Sequence, residues 1–150
     1  MSNDPDLTWR RCTPADAEHL AEMNEQLSRD EGAQPVGPRA AYVERMRTWL
    51  EEGRYEAAIA EGGNETIGYV VWRHDPDYDD VFVRQFFVIR AVRGRGLGTR
   101  LFEAAVQEFW MGRSLRLDVY DSNPRGGAFW ESLGFVPYSR LMRRQPLDPA

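Results

Sequence analysis

The stretch from Val81 to Trp110 constrains the fold more than any other part of the chain, because it joins three patterns without a break. It begins with nine residues, VFVRQFFVI, in which every position except Arg84 and Gln85 is apolar. Such a run is typical of a strand that is buried on both faces. A glycine-rich turn follows, and from Leu97 the apolar residues recur at helical spacing. We therefore predict a buried strand that leads through a glycine turn into a helix.

The turn carries glycine at alternate positions, Gly94, Gly96 and Gly98, with arginines beside them. Glycine lets a bulky anion approach the backbone, and the first amides of the following helix supply donors and a partial positive charge. We expect this turn to bind a phosphate-like anion. A Walker-type loop is excluded, because it needs a lysine after the last glycine and the chain contains no lysine.

A dinucleotide-binding turn is an alternative reading of the same glycines. It requires G-x-G-x-x-G, whereas the chain has G-x-G-x-G. Asp118 does lie about 20 residues beyond the turn, where a ribose-binding acid is expected. A nucleotide-dependent oxidoreductase is therefore a weaker hypothesis.

Composition limits the class of protein. A chain of 150 residues fits one domain, which we expect to span residues 1–150 with a core at about 7–144. The net charge of −5 argues against a nucleic-acid partner. Cys12 has no cysteine to pair with, and no leader or long apolar segment is evident, so we expect a cytoplasmic protein without a membrane segment. The two histidines form no metal-ligand pattern, and we expect no metal.

Periodicity and turn signals predict the remaining elements. In chain order they are a strand over 7–13, a helix from Thr13, a helix over 38–52, a hairpin of strands 56–60 and 66–73, the central strand and its helix, a strand within SLRLDVYDSN, a short helix after Asn123, and a last strand over 135–144.

Two motifs in the right order resemble the GNAT superfamily of acyl-CoA N-acyltransferases. Arg93, Gly96 and Gly98 match that family's pyrophosphate loop, Q/R-x-x-G-x-G/A, directly after a strand. The late block LDVYDSNPRGGAFWESLGF is similar to a second family motif. The resemblance covers roughly Leu7 to Arg144. It implies an α/β (α+β) GNAT fold, with a mixed, mostly antiparallel sheet of about six to seven strands and about four helices.

The resemblance also implies acetyl-CoA as co-substrate. Its pyrophosphate would be bound at the turn, and its pantetheine arm would pair with the central strand and contact the late block. The implied cofactor-binding residues are Phe87, Val88 and Ile89 on the strand, Arg93, Gly94, Arg95, Gly96, Leu97, Gly98 and Thr99 at the turn, and Asn123 and Trp130 in the late block.

Acetyl transfer to an amine requires a base, because an amine with a pKa of about 10.4 is protonated at pH 7. Asp118 is the first candidate, since ribosomal-protein N-terminal acetyltransferases carry a glutamate in a similar strand. Asp80 and its neighbour Asp79 are competing candidates. The tyrosine that often serves as the family's general acid is replaced here by Trp130, whose indole N–H does not act as an acid. Tyr120 or water would then protonate the thiolate of the departing CoA. Amides near Val88 would stabilise the oxyanion.

The resulting prediction is an N-acetyltransferase that transfers acetyl from acetyl-CoA to a primary amine of a small molecule or peptide, by direct attack in a ternary complex. Replacement of the tyrosine by Trp130 motivates an alternative, a catalytically weak acyl-CoA-binding module that regulates or senses. A homodimer is a further expectation.

Overall fold

An open five-stranded sheet organises the chain, and the computed structural model describes residues 6–149. Residues 1–5 and 150 of the predicted domain lie outside the described residues. None of the helices described is both long and apolar enough to cross a bilayer. The strands are β1 (Leu7–Arg11), β2 (Glu56–Gly62), β3 (Glu65–Asp75), β4 (Asp80–Val88) and β5 (Leu115–Arg116), and the helices are α1 (Ala17–Glu31), α2 (Arg39–Glu51), α3 (Leu97–Phe109) and α4 (Pro124–Ser132).

The sheet is mixed and mostly antiparallel, as predicted. Its order is β1-β2-β3-β4-β5, in which the first four strands pair antiparallel and β5 runs parallel to β4. The hairpin of β2 and β3 forms where the turn residues Gly63 and Asn64 separate two apolar runs.

Helices cover both faces of the sheet, and the apolar runs of the central strands explain why. Side chains alternate along a strand, so Tyr69 and Val71 of β3 pack under α1 and α2, while Val70 and Trp72 pack under α3. The amphipathic stripe of α3 supplies Leu101 and other apolar side chains to that second layer. Both layers are needed to bury a strand that is apolar on each face.

A β-bulge interrupts β4 at Arg84. Val71 of β3 pairs with Gln85, but the next residue, Trp72, pairs with Val83, so Arg84 has no partner in the ladder. On the other side of β4, β5 pairs only with Val81 and Phe82. A bulge bends its strand. The edge of β4 therefore becomes free of β5 at the residues where the strand bends.

Two predicted strands differ from the structure. The strand expected within SLRLDVYDSN is reduced to Leu115–Arg116, because beyond Phe82 the bulged β4 no longer lies alongside it. The last strand, expected over 135–144, does not form within the described residues, since the two-residue β5 offers too short an edge for another strand to pair. The sheet consequently has five strands rather than six to seven.

Candidate functional site

The free edge of β4 presents backbone groups of alternate residues. The amide of Ile89 donates to the Ile67 carbonyl at 2.8 Å, so it faces β3. The carbonyl of Phe87 also faces β3, because a methyl group on Gly68 would lie 2.0 Å from its oxygen. Backbone groups alternate in direction along a strand, so the amides of Phe86 and Val88 face the free edge.

This geometry refines the backbone groups expected at the cofactor arm. The amide of Ile89 is already bonded within the sheet, and Phe87 directs its carbonyl away from the edge. Of the three implied residues only Val88 presents its amide there. Phe86, which the sequence did not suggest, presents the second. Two N–H donors spaced along one open edge can bind an extended polar ligand or a carbonyl oxygen.

The glycine turn lies directly after this edge. Gly94 and Gly96 have φ of 83° and 73°, a left-handed conformation that other residues adopt only with strain. Gly96 is the residue before α3, so the amides of Leu97, Gly98 and Thr99 form its first turn and have no acceptor within the helix. The turn therefore directs free donors and the positive end of the helix dipole toward solvent, as an anion site requires.

Gly98 has a packing role rather than a conformational one. A methyl group at this position would lie 3.3 Å from the Phe129 ring of α4, closer than ordinary contact. The Phe129 ring in turn stacks on Phe86 of β4, at 6.1 Å between centroids and 9° between planes. The start of α3, the late helix and the free edge of β4 are thus packed together.

Arg93 is engaged by the protein itself. Its Nε donates to the Val88 carbonyl at 2.7 Å, and its Nη2 donates to Asp30 of α1 at 2.6 Å. Asp30 also accepts from Arg90 at 2.5 Å. Arg93 therefore ties the turn to the strand and to α1, while Arg95 is exposed beside it.

The late block lies against the free edge through aromatic packing. Asn123 caps α4, and its Oδ1 accepts from the Gly126 amide at 3.1 Å. A methyl group at Gly126 would lie 2.4 Å from Asn123 Nδ2, so glycine makes room for this cap. The ring of Trp130 contacts Phe86 at 5.6 Å and Phe102 at 5.0 Å between centroids. Trp130 thus forms an apolar wall behind the edge.

Asp118 and Tyr120 lie in the exposed segment that follows β5. Since Leu115 pairs parallel with Val81 and Arg116 with Phe82, this segment leaves the sheet beside the bulge. The Arg116 guanidinium stands over the Phe82 ring at 4.8 Å, and Asp118 follows two residues later. Asp118 is an exposed residue of the segment that follows β5.

Asp80 lies at the opposite end of β4 from Val88. It is the first residue of the strand, eight positions before Val88, which is about 27 Å at the usual rise per residue. Arg116 donates to its carboxylate at 2.9 and 3.3 Å and to Asp75 at 2.7 Å. Hydrogen bonding to Asp80 is the main cause that raises the pKa of Arg116. Asp80 is thus bound in a buried ion pair, whereas its neighbour Asp79 is exposed.

Sequence reasoning missed a polar cluster on the other side of the bulge. Tyr69 is buried and its hydroxyl donates to Gln85 Oε1 at 2.9 Å, while Glu31 and Arg84 interact electrostatically beside it. One signal was present in the sequence: Glu31 is an acid in the last turn of a helix, where cations are favoured. Such a local conflict is typical of a functional position.

Known proteins share this architecture. The aminoglycoside N-acetyltransferase AAC(6')-Iy, solved with CoA, aligns with a TM-score of 0.73 at 22% identity, over 97% of this chain and 98% of that chain. The ribosomal-protein-alanine N-acetyltransferase of Brucella melitensis biovar Abortus 2308 aligns with a TM-score of 0.69 at 17% identity, over 93% and 99%. These likenesses confirm the predicted fold class.

Sequence comparison leads to the same group of proteins. The spermine/spermidine N(1)-acetyltransferase of Bacillus subtilis (strain 168) is 21% identical over 108 residues, which are 63% of this chain and 71% of the relative. The model of the acetyltransferase (GNAT) family matches residues 20–135. Since that match spans most of the chain, the protein belongs to the acetyltransferase (GNAT) family, which confirms the predicted family and, with it, an acetyltransferase.

Proposed function

We propose that the protein transfers the acetyl group of acetyl-CoA to a primary amine of a small molecule or peptide, by direct attack of the amine in a ternary complex. The observation that carries this proposal is the adjacency of two donor sets. The free edge of β4 ends directly at a glycine turn whose following helix has an uncapped N-terminus. By their names, the similar proteins are N-acetyltransferases for spermine and spermidine, for aminoglycosides and for ribosomal-protein alanine.

The residues present fit the diphosphate of acetyl-CoA. The amides from Arg95 to Thr99 would bind it, because the helix dipole and the left-handed glycines favour an anion there. The exposed guanidinium of Arg95 would add charge. Arg93 would fix the turn through Val88 and Asp30, and its guanidinium would add positive charge to the turn.

The pantetheine arm would lie along the free edge of β4. The Phe86 and Val88 amides would pair with the arm or bind the thioester oxygen, and Trp130 and Asn123 would line the pocket. Bound acetyl-CoA would supply an acetyl group activated as a thioester, and CoA would leave as a thiolate when the bond between the acetyl carbon and its sulfur breaks. The Val88 N–H would stabilise the charge that develops on the acetyl oxygen as the amine approaches.

Proton transfer would involve the segment after β5. Asp118 is the base that we propose, because it is exposed in the segment that leaves the sheet after β5, where its carboxylate could take the proton of an acceptor ammonium. Tyr120, two residues further, or water would protonate the leaving thiolate. Asp80 does not have this role in our proposal, since Arg116 binds it at the far end of β4.

A thermal-shift titration followed by a thiol-release assay tests the proposal. Acetyl-CoA should stabilise the protein while NAD and NADP should not, and at least one amine in a panel of a polyamine, an aminoglycoside and a peptide N-terminus should release CoA. Stabilisation by NAD instead of acetyl-CoA would contradict the proposal. Stabilisation by acetyl-CoA without turnover across the panel would favour the sensor module.

The proposal also covers the domain span, the cellular location, the partners and the oligomeric state. One domain over residues 1–150, a cytoplasmic location and an absence of nucleic-acid partners are consistent with the acidic composition and the single cysteine.

A homodimer is supported by apolar side chains near the C-terminus that are each at least 76% exposed, namely Val136, Tyr138, Leu141, Met142 and Leu147. Light scattering on the whole chain and on a chain ending at residue 135 should give a dimer and a monomer, respectively.

A further inference from the structure

Glu31 is a half-buried carboxylate for which the structure provides no counter-ion in direct contact. It belongs to the last residue of α1, and no side-chain hydrogen bond or ion pair within 4.0 Å joins its oxygens to another residue in the part of the chain described. The other acids of the same helix that are not fully exposed are paired: Asp30 binds Arg90 and Arg93, and Glu25 binds Arg29 and Arg39. Burying a carboxylate is costly unless something binds it, so its oxygens are available to a ligand.

Charged groups of β4 and of α1 itself act on the Glu31 carboxyl through space. Burial raises the pKa of its carboxyl, Arg84 of β4 opposes this, and Asp30 of the same helix adds to it. Burial raises the pKa of Tyr69 in β3 well above the usual range, so its phenol stays protonated. The same phenol interacts electrostatically with Glu31 and with Arg45 of α2. Arg84 thus favours the carboxylate form of Glu31 without binding its oxygens.

The position of this carboxylate relates it to the proposed acetyl-transfer site. Arg84 is the bulge residue, and it lies just beyond Phe82, the last residue that pairs with β5. Its guanidinium stands 5.7 Å from the ring centre of Trp49 in α2 and interacts electrostatically with Glu31, so α2, the bulge and the end of α1 lie on one face of the sheet. Asp30, the residue before Glu31, reaches Arg93, which bonds Val88. Glu31 therefore flanks the free edge on the side of α1 and α2.

Building on the proposed function, we propose that Glu31 binds the acceptor: its carboxylate accepts hydrogen bonds from the ammonium group of an alkylamine before Asp118 takes the proton. The acceptor class is accordingly an amine that is cationic at neutral pH, rather than a neutral arylamine. A carboxylate that binds the ammonium recognises its charge and orients its nitrogen toward the acetyl group.

Steady-state kinetics of Glu31→Gln test this assignment. For an alkylamine acceptor, KM should rise about 10- to 100-fold, the loss typical of a hydrogen bond to a charged group, while kcat changes much less. The acetyl-CoA affinity should not change. For an arylamine acceptor, KM should be the same in both proteins. Glu18→Gln, the same charge change at an exposed position of α1, is the matched control and should behave as wild type.

The pH profile separates this role from a structural one. In wild type, the alkylamine KM should rise as the pH falls through the pKa of Glu31, which lies above that of an exposed glutamate. In Arg84→Gln this rise should begin at higher pH, because the opposing cation is removed. Glu31→Gln should lack the rise altogether.

Two outcomes would overturn the assignment. One is an unchanged KM for alkylamines in Glu31→Gln, and the other is a loss confined to kcat, which would make Glu31 a proton-transfer group. Calorimetry of spermidine binding to the CoA complex gives a readout without turnover: wild type should bind and Glu31→Gln should bind at least tenfold more weakly. If wild type binds acetyl-CoA but no amine releases CoA, the proposed function fails. If wild type turns over and Glu31→Gln matches it, only the role of Glu31 fails.

Discussion

Asp30, at the end of α1, holds Arg93 of the glycine turn through a contact of 2.6 Å between Oδ2 and Nη2. The same carboxylate accepts from Arg90 and from Gln26 Nε2. Burial opposes its ionisation, but hydrogen bonds from Arg90, Arg93 and Gln26 outweigh burial and lower its pKa. One acid thus couples the helix above the sheet to the proposed pyrophosphate turn.

Asp30→Asn should lower the free energy of unfolding by about 1–3 kcal/mol at neutral pH, the cost of losing charged hydrogen bonds at a largely buried site. Because the folded pKa is depressed, this stabilisation is present above the ordinary aspartate value of about 3.9 and is lost as the pH falls through the folded pKa. Urea titrations should therefore show a gap in the free energy of unfolding between wild type and variant at pH 6, and this gap should close as the pH falls through the lowered pKa of Asp30. A gap that persists at low pH would contradict the electrostatic explanation.

Gly98→Ala should disturb the start of α3. The added methyl group would meet the Phe129 ring at 3.3 Å, so the ring or the helix must move, at a cost of about 1–3 kcal/mol for overpacking. Acetyl-CoA affinity, measured by calorimetry, should fall with it because the free amides shift. Gly127→Ala is the control, since no neighbour lies within 4 Å of its added methyl group and alanine favours helix. Equal effects of the two changes would refute a packing role for Gly98.

Asp118→Asn should lower kcat for amine acceptors by about 10²- to 10⁴-fold, the range for loss of a general base, with acetyl-CoA affinity unchanged. Asp121→Asn, an exposed acid of the same segment, provides the matched control and should leave kcat unaltered. Wild-type kcat and pH profile in Asp118→Asn would show that another group takes the proton.

Asp80→Asn should destabilise the fold rather than stop the chemistry. It leaves Arg116, whose side chain is only 20% exposed, without its main partner, and loss of a largely buried pair costs about 3–5 kcal/mol at most. Differential scanning calorimetry should show a lower Tm, while kcat measured below that temperature stays near wild type. A selective loss of kcat at unchanged Tm would restore Asp80 as a catalytic candidate.

Local patterns predicted the elements whose partners are nearby in sequence. The helix stripe of α3 and the β2–β3 hairpin follow from periodicity and turn residues, and the turn before α3 follows from its alternating glycines, two of which adopt left-handed conformations. The Asp80–Arg116 pair joins residues 36 positions apart, and no local signal indicates it. The bent edge of β4 and the short β5 depend on how strands align in three dimensions, which the residues of one strand do not determine.

Arg84, the extra residue of the β-bulge, also changes which residues of β4 face each side of the sheet. Before it, Val81 and Val83 point toward α3; after it, Phe86 and Val88 do, so odd positions give way to even ones while the same face stays apolar. A regular strand that kept all these residues would turn Phe86 to the α1 side, whereas a chain lacking Arg84 would keep Phe86 toward α3 and straighten β4 against the segment after β5. The gap between β4 and the segment after β5, into which a thioester could fit, therefore depends on the one extra residue in the β-bulge.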